Sequence, residues 1–426
     1  MRSENVDRLS RLPEEIVSHI LSLMPTIYAV RTSILSKKWR YSWMFVTNLD
    51  LDDNHFPSIL LHNLANIVDR VLEFRKSSHV KLFRLHITNT AVPKSCVSKW
   101  IDKAVGLKVC EFDIRITNLD LPLSFFTYKT LTKLRLHRTK SDFTLWEFPN
   151  SVSLPCLKTL DIVVRTNPAA NAFKLICGSP ILESLSFEVK FRNKDEEDYI
   201  FNIPTLKRLE VTLPYSVSII NQIVLHVPNV EYLFVGGSLS SIFVMEDVSS
   251  LVEACVSCDD IRFDRLHLWV ELLKGLSRVE LFSVQEIPFE LHLPIFPNMK
   301  HFAIKSSGCS EIDHFLESCP KLKHLYIEEK IGFPWVGPKL APVCMLTSLT
   351  TIKFPMCNFW EDDMPFLAYM LRNAKVLKKV TITWKYSSGI KQEKRVFAEF
   401  LKLPRASRCC EICLHGNWSH YTSTSS

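Results

Sequence analysis

The stretch Pro155-Cys156-Leu157-Lys158-Thr159-Leu160-Asp161-Ile162 carries apolar residues at its third, sixth and eighth places. Its second half reads as a strand, where alternate side chains face opposite sides, so Leu160 and Ile162 point one way and Asp161 the other. The spacing recurs in 14 units whose first apolar anchors are Leu82, Val109, Leu131, Leu157, Leu182, Leu206, Val230, Leu251, Leu276, Met299, Leu322, Leu349, Leu377 and Cys409. The starts lie roughly 25 residues apart, a period at which one supersecondary unit stacks on the next. Pro155, Pro180, Pro204, Pro228, Pro297 and Pro320 each precede a first anchor by two residues. A proline there ends the return segment where no ladder N–H is yet required.

This period points to an α/β solenoid, a leucine-rich-repeat array with parallel strands on its concave face and a return segment, often a helix, behind each strand. An open sheet of βαβ units would also fit any single unit. Helical spacing marks return helices at Val97, Trp100, Ile101, Ala104 and Val105, and at Ile312, Phe315, Leu316 and Cys319 with Ser310 as a cap. Two more are expected, at Leu367, Ala368 and Leu371 and at Val396, Phe397, Phe400 and Leu401.

Residues 7–50 read differently, as three short helices. Pro13, Glu14 and Glu15 suit a first turn, and Ile16, Val17, Ile20, Leu21 and Met24 follow at helical spacing. Pro25 stops that helix. Thr26 is the expected cap of a second, carrying Ala29 and Val30, and Ser36 of a third, with Trp39 and Trp43 on one face. So small a unit cannot bury all its apolar faces internally. Either the remaining surface needs a partner, or the unit is a helical cap on the adjoining domain.

Composition narrows the chemistry. With 47% hydrophobic and 23% charged residues, the 426-residue chain can bury a large core. Ten glycines, about 2% against a usual ~7%, disfavour phosphate loops and nucleotide folds. A net charge of +7 is a mild bias for this length, so nucleic acid is not an expected partner. The first twenty residues are too charged for a signal peptide. The uncharged stretch 214–230 is broken by Asn221, Gln222, His226 and Pro228, so no membrane span is expected. The expected location is cytoplasm, nucleus or both, where the 13 cysteines stay reduced. Cys255/Cys258 and Cys410/Cys413, with His267, His415 and His420 nearby, have zinc-like spacing. Both pairs fall on expected strands, where residues three apart face opposite ways and cannot converge on one ion. No metal, no cofactor and no catalytic residue is expected: the chain has no H-E-x-x-H, no G-x-S-x-G and no P-loop.

Residue identity adds to this. Asp7-Arg8-Leu9-Ser10-Arg11-Leu12-Pro13-Glu14-Glu15-Ile16, Ile20-Leu21-Ser22-Leu23-Met24-Pro25-Thr26 and Ala29 to Arg40 resemble, in order, the opening, middle and end of the plant F-box. Ala341-Pro342-Val343-Cys344, Leu349-Thr350-Thr351-Ile352, Leu371 to Ile382 and Leu403-Pro404-Arg405-Ala406-Ser407 resemble the FBD region of the same proteins. The chain is thus similar to the plant F-box/leucine-rich-repeat/FBD family, with an F-box at 1–53, degenerate repeats at 54–340, an FBD region at 341–416 that continues the array, and a tail at 417–426. The resemblance implies a non-catalytic substrate receptor of an SCF-type ubiquitin ligase. It would bind a Skp-type adaptor, and through it a cullin, by Leu12, Pro13, Ile16, Ile20, Leu21, Pro25, Val30, Leu35 and Trp39, and an unknown protein target by its repeats. A non-degradative interaction scaffold and a ligand-assisted receptor are the alternatives.

The outward strand positions change character along the chain. Arg84, His86, Arg115, Lys133, Arg135 and His137 come first, then Asp161, Glu188 and Glu210, then Tyr232, Phe234, Phe282, His324 and Tyr326. Exposed rings on a rigid surface invite a partner. Tyr232, Phe234, Phe282 and Tyr326 are therefore the expected target contacts, with the basic strands steering an acidic segment toward them. Residues 371–408 are also strongly basic, from an acidic-partner or RNA site or from a solvated outer face of two helices.

Overall fold

The computed structural model describes residues 11–77, 79–89, 92–117, 121–138, 148–164, 170–190, 198–215, 222–260, 263–288, 291–305, 312–328, 337–356, 360–384 and 402–415. The chain forms two units, Met1–Asn193 and Lys194–Ser426.

The first unit runs α1 (Glu14–Ser22), α2 (Thr26–Arg31), β1 (Asn48–Asp52), α3 (Ser58–Leu61), α4 (Leu64–Phe74), β2 (Leu82–Ile87), α5 (Lys94–Gly106), β3 (Glu111–Ile116), β4 (Lys133–Arg138), β5 (Thr159–Val164), α6 (Ala170–Cys177) and β6 (Ser184–Val189). The six strands pair in chain order, all parallel. Their register sets anchor beside anchor: Phe112 opposite Leu134, Leu134 opposite Leu160, Leu160 opposite Leu185. These side chains are fully or almost fully buried. Phe83, Phe112, Phe125 and Phe126 continue the core as a chain of edge-to-face rings. Buried Trp100 on α5 donates its indole N–H to Asp69 on α4 at 3.0 Å.

Four expectations change in this unit. The first repeat is anchored by buried Val80, Phe83 and Leu85, not by Leu82, which faces outward. Val46, Leu49 and Leu51 form a further buried repeat around β1, inside the segment assigned to the N-terminal module. The third helix of that module is replaced by 310 turns at Thr32–Ile34 and Ser42–Phe45. Thr26 does not cap α2 with its side chain. Its hydroxyl instead accepts the Asp50 N–H at 2.8 Å, and Ser22 Oγ accepts the Thr47 N–H at 3.0 Å, fastening both helices to β1.

The second unit runs β7 (Tyr199–Asn202), β8 (Arg208–Leu213), β9 (Gln222–His226), β10 (Tyr232–Ser238), β11 (Ile242–Asp247), β12 (Glu253–Asp260), α7 (Leu266–Gly275), β13 (Leu281–Val284), β14 (His301–Ile304), α8 (Ile312–Ser318), β15 (His324–Ile327), α9 (Val343–Thr347), β16 (Thr351–Met356), α10 (Trp360–Asn373), β17 (Lys379–Trp384) and β18 (Glu411–His415). Strands β8, β10 and β12–β18 pair in that order, all parallel. The segments before β8, β10 and β12 return as β7, β9 and β11, which form their own parallel sheet. Their alternation explains the choice: buried Tyr199 and Phe201 flank exposed Ile200, and buried Ile223 and Leu225 flank Val224. A strand and not a helix buries such a pattern. The expected helix at 396–401 and the cap Ser310 lie outside the described residues.

The six prolines have a sharper role than expected. The first anchor after each one donates its N–H to the residue before it: Leu157 to Leu154, Leu182 to Ser179, Leu206 to Ile203, Val230 to Val227, Met299 to Phe296 and Leu322 to Cys319, at 3.1–3.4 Å. Each proline is thus the second residue of a β-turn, where its fixed φ is pre-set. The same bond runs from Val279 to Leu276 at 3.2 Å. The ninth repeat is therefore Val279-Phe282-Val284, and Leu281 faces outward. Phe282 is core, 2% exposed, stacked among Phe296, Phe302 and Phe315. At the C-terminal end Cys409 is exposed and Cys410 is buried. In β10, Gly237 has φ +79, and a Cβ there would lie 2.1 Å from the Leu213 carbonyl. Only glycine fits that close approach, beside the register shift between β10 and β12.

Candidate interaction site

The N-terminal module leaves much of its apolar surface uncovered. Ile16, Leu23, Tyr28, Ile34, Leu35, Tyr41 and Phe45 are exposed within 30 residues, led by Ile34 at 87% and Leu23 at 72%. The short elements account for this. A nine-residue α1 and a six-residue α2 can each bury only one face, here Val17, Leu21 and Ala29. The 310 turns then turn Trp43 inward and leave Phe45 outside. Lys38 Nζ donates to the Leu12 carbonyl, tying the start of α1 to the later turns.

Of the nine expected adaptor contacts, Pro13, Ile16 and Leu35 are exposed, while Leu12, Ile20, Pro25 and Val30 are half-buried. Leu21 and Trp39, 0% and 5% exposed, pack into the module and shape the face instead of presenting it. Leu23, Tyr28, Ile34, Tyr41 and Phe45 are exposed apolar residues of the same module that are not among the nine. Helical periodicity ranks inward positions and says nothing about apolar residues set on turns.

On the outer face of the first unit, charges alternate across the strands. Arg84 on β2 lies 2.9 Å from Asp50 on β1 and 3.1 Å from Asp113 on β3. His86 sits between Asp52 at 3.4 Å and Asp113 at 2.9 Å. Arg135 and His137 on β4 meet Asp161 on β5 at 3.5 and 2.9 Å. Burial works against the charge of Asp113, but the hydrogen bonds and charges of His86 and Arg84 outweigh it and hold the carboxyl down at about 2. The expected basic steering surface is therefore largely neutralised from within. Asp50, Asp52 and Asp113 occupy outward positions between anchors, so the alternation that revealed Asp161 would have revealed them too.

In the second unit, Tyr232, Phe234 and Tyr326 are half-exposed on the outer face, and Phe282 leaves the contact set because it is core. The Arg208 guanidinium lies 3.7 Å from the Tyr232 ring centroid and pairs with Glu210 at 2.8 Å. The Phe234 ring fills the space where Gly236 lacks a side chain. Cys255 is half-buried and Cys258 buried on β12. Among the described residues, no group of three or more His, Cys, Asp or Glu gathers as a ligand set, and no helix is long and apolar enough to cross a membrane.

The F-box domain family model matches residues 9–47 and the FBD model residues 337–382. An F-box/FBD/LRR-repeat protein of Arabidopsis thaliana is 29% identical over 446 residues, covering 96% of this chain and 94% of the relative. An F-box/LRR-repeat protein of the same plant is 31% identical over 363 residues, covering 76% and 69%. A second F-box/FBD/LRR-repeat protein is 30% identical over 442 residues, covering 96% and 97%. Fold and comparisons together define an α/β protein of parallel strands headed by an F-box. The chain belongs to the plant F-box/FBD/LRR-repeat family.

Proposed function

We propose that this chain is the substrate-recognition subunit of an SCF-type ubiquitin ligase. The F-box would dock a Skp-type adaptor, and through it a cullin, while a target protein binds the outer faces of the strands. The observation that carries this reading is the coincidence of the F-box match with the cluster of exposed apolar residues. Isolated exposed leucines are ordinary, but seven large apolar residues within 30 mark a surface that a partner covers. In this reading Ile16, Ile34, Leu35 and Phe45 lead the docking face, with Leu12, Pro13, Ile20, Pro25 and Val30 beside them.

The repeats form a leucine-rich solenoid that begins at Val46, within the 1–53 segment assigned to the F-box, and runs to 340, followed by the FBD region at 341–416 and a tail from 417. The protein performs no bond chemistry. It raises the concentration of its target beside the ubiquitin-loaded enzyme, in cytoplasm or nucleus. Proximity labelling in plant cells, with and without proteasome inhibition, tests the role. Labelled proteins that accumulate on inhibition support it. A partner list indifferent to inhibition favours a non-degradative scaffold.

A further inference from the structure

In the second unit, backbone bonds set the starts of β14–β17 side by side: Lys323 N–H to Lys300 O, Thr350 N–H to Lys323 O and Lys378 N–H to Thr350 O, at 2.8–2.9 Å. The in-register strands then place His324, Thr351 and Lys379 in one outer row and Tyr326, Lys353 and Thr381 in the next. Lys323, Lys353, Lys375, Lys378 and Lys379 are exposed. Of the cations here, only Lys300 forms an ion pair among the described residues, with Glu280 at 2.7 Å. Glu411 on β18 stands opposite Lys379 in the register, with no ion pair between them among the described residues, and exposed Glu328 follows β15. This is the reverse of the first unit, where cross-strand aspartates answer the outer cations. Of the basic residues noted at 371–408, Arg372 is exposed at the end of α10 and Lys378 and Lys379 are exposed where β17 begins, while 385–401 lie outside the described residues.

We propose that this patch on β15–β17 is the docking site for an acidic segment of the target protein, with carboxylates taken by Lys353, Lys379, Lys323 and Lys378 and a side chain seated against Tyr326. The proposal deepens the receptor reading and rests on it. Adjacent strands lie ~4.8 Å apart, and alternate side chains of an extended peptide ~6.6 Å apart. A short acidic segment crossing the strands can therefore meet several amines at once, with threonine hydroxyls between them. His301 and His324 stack at 4.3 Å, and both are held below the ordinary histidine range, His301 by burial and then the charges of His324, Lys300 and Lys323, His324 by burial and then the charge of Lys323. A nucleic-acid strand fits less well, because it needs successive stacking rings along a longer basic track. Tyr326 is the one half-exposed ring of Phe, Tyr or Trp type in these rows.

Fluorescence anisotropy of fluorescein-labelled octaglutamate with the full chain at low salt tests the site. Wild type binds, and added salt weakens the binding. Lys353→Glu/Lys379→Glu and Lys323→Glu/Lys378→Glu each weaken it about tenfold or more, with melting temperatures unchanged, while Lys158→Glu/Lys274→Glu, an equal charge change elsewhere, shifts it less than about twofold. Absent binding by wild type, equal weakening by the control pair, or tighter binding of an octauridine RNA lost in the same variants would each overturn the proposal. Adaptor capture measured on the same preparations separates this result from the ligase assignment: octaglutamate binding without adaptor capture contradicts only the latter.

Discussion

His86 Nε2 lies 2.9 Å from Asp113 Oδ1 across β2 and β3, in the middle of an acid–base ladder that runs from Asp50 to Asp161. With its folded value near 2, against an ordinary 3.8, Asp113 is a carboxylate whose charged form the fold favours. Its contribution is fully present above pH ~4 and is lost as pH falls through about 2. The shift corresponds to about 2 kcal/mol. Asp113→Asn is expected to lower stability at pH 7 by that order and to flatten the acid limb between pH 4 and 2, read by tryptophan fluorescence. An unchanged acid limb would remove the ladder from the stability account.

Phe282 and Phe234 separate core from surface. Phe282→Ala empties a place among Phe296, Phe302 and Phe315 and should cost ~3–5 kcal/mol. Half-exposed Phe234 is expected to cost much less when truncated, and its loss should instead remove partners from proximity labelling. Urea unfolding of the two variants checks the order, and equal losses would contradict this assignment of faces.

Thr26→Val should loosen the N-terminal module. The change keeps the side-chain shape but deprives the Asp50 N–H of its 2.8 Å acceptor beside β1. Leaving a buried donor unmet costs ~1–3 kcal/mol. Limited proteolysis near residues 26–47 should accelerate. A cleavage rate equal to wild type would show that the bond carries no weight.

The repeats were legible wherever the sequence carried two signals together. All six proline-marked repeats, such as Leu157-Leu160-Ile162 and Leu322-Leu325-Ile327, have the expected buried anchors. The slips fall where no proline marks the turn. Val80-Phe83-Leu85 and Leu82-Leu85-Ile87 both satisfy the spacing, as do Leu276-Val279-Leu281 and Val279-Phe282-Val284. Alternation cannot choose between overlapping triplets, and packing of the phenylalanines does. Val46-Leu49-Leu51 went unseen because it follows directly on the F-box. The exposed apolar surface of the N-terminal module was less legible, because exposure of Ile34 and Phe45 depends on 310 turns that leave no periodic trace.

Capture of a purified Skp-type adaptor by the full chain tests the central claim most directly. Wild type should retain the adaptor at near one-to-one stoichiometry, while Ile16→Asp and Ile34→Asp/Leu35→Asp should lose it with melting temperatures unchanged, because each sets a charge on an apolar contact face without entering the core. Undiminished capture by both variants would contradict the assignment of this face, and no capture by wild type would contradict the ligase role itself.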